Sequence, residues 1–310
     1  MEFEKTPSAT VPDAHQSSAT QMPDAPSVPT TADASIPPTG GAGMAEPPTV
    51  EPPKKGIANI WHMLVFIAVL LVFSYSGSNG QHAGVAKHGR WKFYSLTIAW
   101  EWVMVLYIWL GTRKRGIGLT NLIGGNEKLD RLLSRGVPEW STMRDRTRRI
   151  FTLLIDTALG FFFWLVAIGV LAAFAKMLGL MRAGANSDFQ QKIGFMAPQT
   201  GWELFLFLLL SATAGICEEI IFRGYLQRQF AAFTGSAVVG IVAQAVIFGA
   251  GHGYEGARRM MLIAVLGILL GILTYVRGSL KPAMVTHFCQ DGIAGTVLYL
   301  ISKKIIPMPQ

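Results

Sequence analysis

Seven apolar runs constrain this chain more than any other feature: 57–75, 93–111, 152–178, 202–224, 236–252, 260–276 and 283–302. About 20 apolar residues in a helix cross the hydrocarbon of a bilayer, because each adds about 1.5 Å. All the runs except 236–252, which is shorter and contains glycine, approach that length. Inside lipid every backbone N–H and C=O needs a partner, so only helices and closed barrels span it. The runs do not alternate as barrel strands do. The predicted fold class is all-α: a polytopic transmembrane bundle of about seven helices, in a range of six to eight. Composition agrees, with 15% charged residues against about 25% in a soluble domain.

The charge is placed unevenly. Residues 1–53 hold seven acids and one lysine, a net −6; with +8 overall, the remainder carries +14. Eleven of the sixteen prolines also lie in 1–53, and large apolar residues are few. Such a stretch cannot offset the entropy of ordering, so it reads as a disordered Pro/Ala/Ser-rich tail. It lacks the basic start and apolar core of a cleavable signal peptide. The loop 111–150 holds ten Lys or Arg against four acids and ends in RDRTRR at 144–149. The positive-inside rule places this loop, and the tail with it, in the cytoplasm. A stretch of the loop is also a candidate surface helix on anionic lipid. These bases lie between apolar runs and accompany no recognition motif, so nucleic acid is excluded as a partner. Cys217 and Cys289 both lie in apolar runs, away from any disulfide framework or zinc-ligand spacing.

Ionisable residues within spans are costly, and each is a functional hypothesis. Three short strings in the C-terminal half concentrate them. The first is EEIIFR, 218–223. Glu219 and Arg223 are four apart, share a helix face and can pair. Glu218 points about 100° away, free to face a cavity as a general base. The second is FGAGH, 248–252, with Phe248 and His252 on one face and small residues between them. The third is HFCQD, 287–291, where His287 and Asp291 share a face. That pair can orient a tautomer, bind a metal or line an oxyanion site. Glu101 and Asp156 stand within apolar runs and belong to none of these strings. Pairing with basic residues is the plain expectation for them, and Arg277 and Lys281 read as topology determinants.

The order EExxxR, FxxxH, HxxxD on three separate spans resembles the CAAX protease and bacteriocin-processing family, also called the Abi family. The resemblance covers about 200–302. It makes 201–302 a catalytic core behind N-terminal helices in 54–200. It implies an intramembrane endopeptidase of the CAAX-prenyl-protease type; the expected location is the cell (inner) membrane, multi-pass, with the N-terminus cytoplasmic by the positive-inside rule. In the family, the glutamate matching Glu218 acts on the attacking water, and the one matching Glu219 pairs with the arginine matching Arg223. The histidine matching His252 positions the water. Those matching His287 and the residue four further on, here Asp291, lie near the oxyanion. Some members carry Asn there; a charged Asp291 would repel an oxyanion. The implied partners are the bilayer and a peptide or protein substrate, prenylated in the eukaryotic branch.

No metal cofactor is favoured. A zinc ion, if present, would take His252, His287 and Glu218, but no HExxH string places two histidines on one helix. Two other readings stand beside the protease: a non-catalytic scaffold or immunity protein on the same helices, and a proton-coupled transporter using Glu101, Asp156 and the motif carboxylates. Simple alternation of spans also leaves a difficulty. It puts Glu218 and His287 near the cytoplasmic ends of their helices, and His252 at the far end of its own.

Overall fold

Each of the seven apolar runs is a helix in the structure, a computed structural model that describes residues 56–180 and 194–306. The predicted tail lies outside the described residues. Of 76–88 the helical backbone alone is described. We number the helices α1 (Ile60–His88), α2 (Arg90–Arg113), α3 (Leu119–Ile123), α4 (Glu127–Gly136), α5 (Asp145–Met177), α6 (Gly201–Glu218), α7 (Gln227–Thr234), α8 (Ala237–Gly251), α9 (Ala257–Arg277) and α10 (Lys281–Ser302). Between α6 and α7 the chain stays helical but widens to a π-helix over Glu219–Leu226. α2, α5, Gly201–Thr234 and α9 are long and apolar enough to cross a membrane; Ile60–Tyr75 and α8 are shorter apolar helices. The chain is a helical membrane bundle.

Local chemistry sets the helix ends. Thr200 caps α6 by accepting from the Glu203 amide at 3.1 Å, and Glu203 Oε2 accepts in return from the Gln199 amide at 2.7 Å. Ser236 caps α8 by accepting from the Val239 amide. Side-chain oxygens at these positions satisfy amides that have no partner within the helix. Gly278 ends α9 in the left-handed conformation, open to glycine at low cost.

Large apolar side chains such as Leu96, Phe162 and Val246 point outward, as expected where lipid is the solvent. The interior is mixed. One cluster gathers Met63, Phe66, Val105, Ile108, Cys217, Ile221 and Phe248 from α1, α2, α6, the π-helix and α8. Ala167, Leu266, Leu270 and Ala283 form another, joining α5, α9 and α10.

The basic loop 111–150 contains two short helices, α3 and α4. α3 is anchored to the α9–α10 turn: Leu280 N–H donates to Ile123 O at 2.8 Å, and Gly124 bridges Ser279. A Cβ on Gly124 would lie 2.4 Å from Gly278 O. Asp156 and Arg277, read apart in the sequence, form a buried ion pair at 2.8 Å. Arg277 therefore holds α5 to α9.

The fourth helical run does not stop near 224; it continues to Thr234. This removes the difficulty over His252. From Glu219 to Thr234 the chain runs about 22 Å, and the 15 residues of α8 rise back by about the same amount. Glu219 is thus mid-helix, and the C-terminal end of α8 returns to its level.

Candidate active site

The π-helix carries the EEIIFR string except for its first residue, Glu218, which ends α6, and all eight π-helix residues are buried. Glu219 and Arg223 are fully buried and pair at 2.8 Å (Nη1 to Oε1). The Arg223 guanidinium also lies over the Phe248 ring, 4.4 Å from its centroid. Its Nη2 reaches Gly267 O on α9 at 3.4 Å. The charge thus has a carboxylate, a carbonyl and an aromatic face, which together offset its desolvation.

His287 enters from α10. Its Nδ1 lies 2.9 Å from Glu219 Oε1. Its Nε2 faces Asp291 Oδ2 at 3.5 Å and Glu218 Oε2 at 3.7 Å. Glu219 Oε1 therefore serves Arg223 and His287 together. Glu218, on the last α-helical turn, makes no hydrogen bond through its buried Oε2. Part of its side chain stays accessible, as does that of Asp291.

His252 follows α8 at its C-cap. Its Nδ1 lies 2.9 Å from Phe248 O. A carbonyl can only accept, so Nδ1 carries the hydrogen and Nε2 of the neutral ring keeps its lone pair. Phe248 joins both rings edge-on, at 5.1 Å to His252 and 5.9 Å to His287. Glu218, Glu219, Arg223, His287 and Asp291 thus meet directly, whereas His252 approaches them through the Phe248 ring that it shares with His287. The turn after His252 is held to α1, where Ser74 Oγ accepts from the Gly253 amide at 3.2 Å and donates to Ala250 O.

Among the described residues, no three His, Cys, Asp or Glu donors gather as a set able to hold a metal ion. His252, His287 and Glu218 are not placed together as a zinc ligand set.

Glu101 belongs to no motif, yet its side chain lies within electrostatic reach of Glu218, His287 and Asp291. Its one legible signal was a carboxylate in the middle of an apolar run, on the buried face Tyr94, Glu101, Val105, Ile108, Thr112 of α2.

A buried ion pair, two histidines and a carboxylate with an unpaired oxygen, inside a helical membrane bundle, define a candidate hydrolase site in a membrane protein. Residues 200–293 match the family model described as Rce1-like, type II CAAX prenyl endopeptidase. The matched segment contains all six motif residues, and for that segment the resemblance to the CAAX protease family holds. It leaves α1–α5 unmatched. No curated protein and no solved structure matches the chain.

Proposed function

We propose that the chain is an intramembrane endopeptidase of the CAAX type, in which Glu218 activates the attacking water. The observation that carries this reading is the division of labour between the adjacent glutamates. Glu219 is spent on Arg223 and His287, whereas Glu218 keeps a buried oxygen with no hydrogen-bond partner.

A water molecule has two hydrogens, which the Glu218 carboxylate and His252 Nε2 accept. Its oxygen attacks the scissile carbonyl carbon, and its proton passes to Glu218. The C–N bond then breaks, and the leaving nitrogen takes that proton. His287 Nε2, beside Glu218 and Asp291, donates to the developing oxyanion; Asp291 acts on the His287 ring rather than on the oxyanion. The substrate is a peptide or protein segment at the membrane, with a prenylated C-terminal CAAX tail as the first candidate. The membrane is the cell (inner) membrane, and the N-terminus and basic loop face the cytoplasm.

The test is cleavage of a quenched, farnesylated CAAX peptide by detergent-purified protein, with Glu218→Ala alongside and with a chelator added. We expect cleavage by wild type, a loss of at least about 10²-fold in the variant, and no effect of the chelator. Loss on chelation would replace the water mechanism by a metal one. A wild type that binds the peptide without cleaving it would favour a scaffold on the same helices.

A further inference from the structure

α2 lies outside the matched segment, yet it delivers a polar group to the site. Glu101 is 4% exposed, and its Oε2 is buried with no hydrogen-bond partner among the described residues. Its neighbours on α2 fix where it points. Seven residues earlier, Tyr94 packs edge-on against Phe207 of α6 at 5.6 Å. Four residues later, Val105 joins the core with Cys217 and Ile221. Glu101 lies between Tyr94 and Val105 on the same buried face of α2, within electrostatic reach of Glu218, His287 and Asp291.

A buried carboxyl oxygen without a partner is costly, and apolar residues of similar size are more stable in such a place. No basic side chain pairs with Glu101 among the described residues, in contrast to Asp156 with Arg277 and Glu219 with Arg223. Such an oxygen can accept from a donor of the substrate. In the mechanism above, both hydrogens of the water are used by Glu218 and His252. The remaining donor at the reacting centre is the scissile amide N–H.

We propose that Glu101 is a further substrate-contacting residue, whose Oε2 accepts a hydrogen bond from the N–H of the scissile peptide bond. This rests on the protease reading. The bond fixes the amide plane, so that the nitrogen lone pair emerging in the tetrahedral intermediate points towards the proton on Glu218. As the C–N bond breaks, nitrogen takes that proton and keeps the hydrogen held by Glu101, leaving as a neutral amine.

The experiment compares the farnesylated CAAX peptide with its depsipeptide analogue, in which the scissile N–H is replaced by oxygen. Binding is measured by fluorescence anisotropy in the Glu218→Ala background, which needs no turnover. Cleavage is measured with Glu218 intact. With Glu101 present, the amide should bind about tenfold more tightly than the ester, the worth of one hydrogen bond. In Glu101→Leu that preference should vanish. Cleavage of the amide by Glu101→Leu should fall about 10²-fold, mainly in kcat, while ester cleavage stays within a few-fold. The variant should unfold at or above the wild-type temperature, because it removes an unpaired polar group. Equal binding of amide and ester by protein with Glu101, or a parallel loss of amide and ester cleavage in Glu101→Leu, overturns the proposal. An amide preference that depends on Glu101 without cleavage by wild type would instead sink the protease reading and leave the contact standing. Failure of both peptides to bind would count against both.

Discussion

Arg223 is the residue on which the site's geometry turns. It is among the largest fully buried side chains, and its charge is held by Glu219, Gly267 O and the Phe248 ring. Arg223→Met would leave Glu219 buried with His287 as its remaining partner, at a cost of about 3–5 kcal/mol. Adding Glu219→Gln should recover most of that loss, because no uncompensated charge remains. Thermal unfolding in detergent reads both variants; equal losses in the single and double variant would mean that Glu219 does not depend on Arg223. At this scale the sequence was informative where partners share a helix. The spacing of Glu219 and Arg223 predicts their contact, and the structure shows it. The contact of His287 with Glu219 spans 68 residues and follows only from how α10 packs against the start of the π-helix. Glu101 was visible as an anomaly, but its surroundings depend on how α2 docks.

Among the elements, the long run from Gly201 to Thr234 shows why hydropathy misplaces a helix end. The polar group Gln227, Arg228, Gln229 reads as the edge of the membrane, yet each of these side chains has a partner. Gln227 donates to Gly271 O at 3.1 Å, and Arg228 to Asn121 O at 2.6 Å. Gln229 pairs with the backbone of Ala58 through both its donor and its acceptor, at 2.8 and 2.9 Å. Hydropathy registers the polarity and not the hydrogen bonds that satisfy it within protein. The π-helix was not legible for a similar reason: the i→i+5 pattern is selected by packing around a functional site rather than by a local signal. The α8–α9 pair depends on close backbone approach. A Cβ on Gly249 would sit 2.5 Å from Met260 O, so Gly249→Ala must push the helices apart three residues before His252. We expect a loss of about 1–3 kcal/mol and a fall in kcat larger than any change in KM, read by unfolding and by peptide cleavage. Gly169→Ala on α5, where nothing lies within 4 Å of the added carbon, is the control and should leave both unchanged. A fall in the control as large as that in Gly249→Ala would remove the link to His252.

On the scale of the whole molecule, the contacts sort the loops into two ends of the bundle. At one end, Lys128 Nζ donates to Tyr275 O at 2.7 Å, and Ile123 O accepts from the Leu280 amide. This sets the basic loop beside the α9–α10 turn. At the other end, Tyr94 Oη donates to Met196 O, Arg90 to Phe195 O and Ser302 to Pro198 O, so the start of α2, the segment before α6 and the end of α10 lie together. The seven runs and their basic loop were enough to expect such a two-ended bundle; which loops share an end follows from these long-range hydrogen bonds. Ten of the chain's bases lie in the loop 111–150, so under the orientation we propose from the positive-inside rule the first end faces the cytoplasm. Single cysteines at exposed Ser134 and Lys304 mark the two ends, in a background where half-buried Cys289 is replaced by alanine and Cys217 stays buried. An impermeant maleimide applied to intact cells should label Lys304→Cys at once, and Ser134→Cys only after the membrane is opened. The reverse order would turn the whole bundle over and put the basic loop on the side away from the cytoplasm. Labelling of both from one side would break the two-ended arrangement itself, and with it the shared depth of Glu218, His252 and His287 on which the hydrolytic mechanism depends.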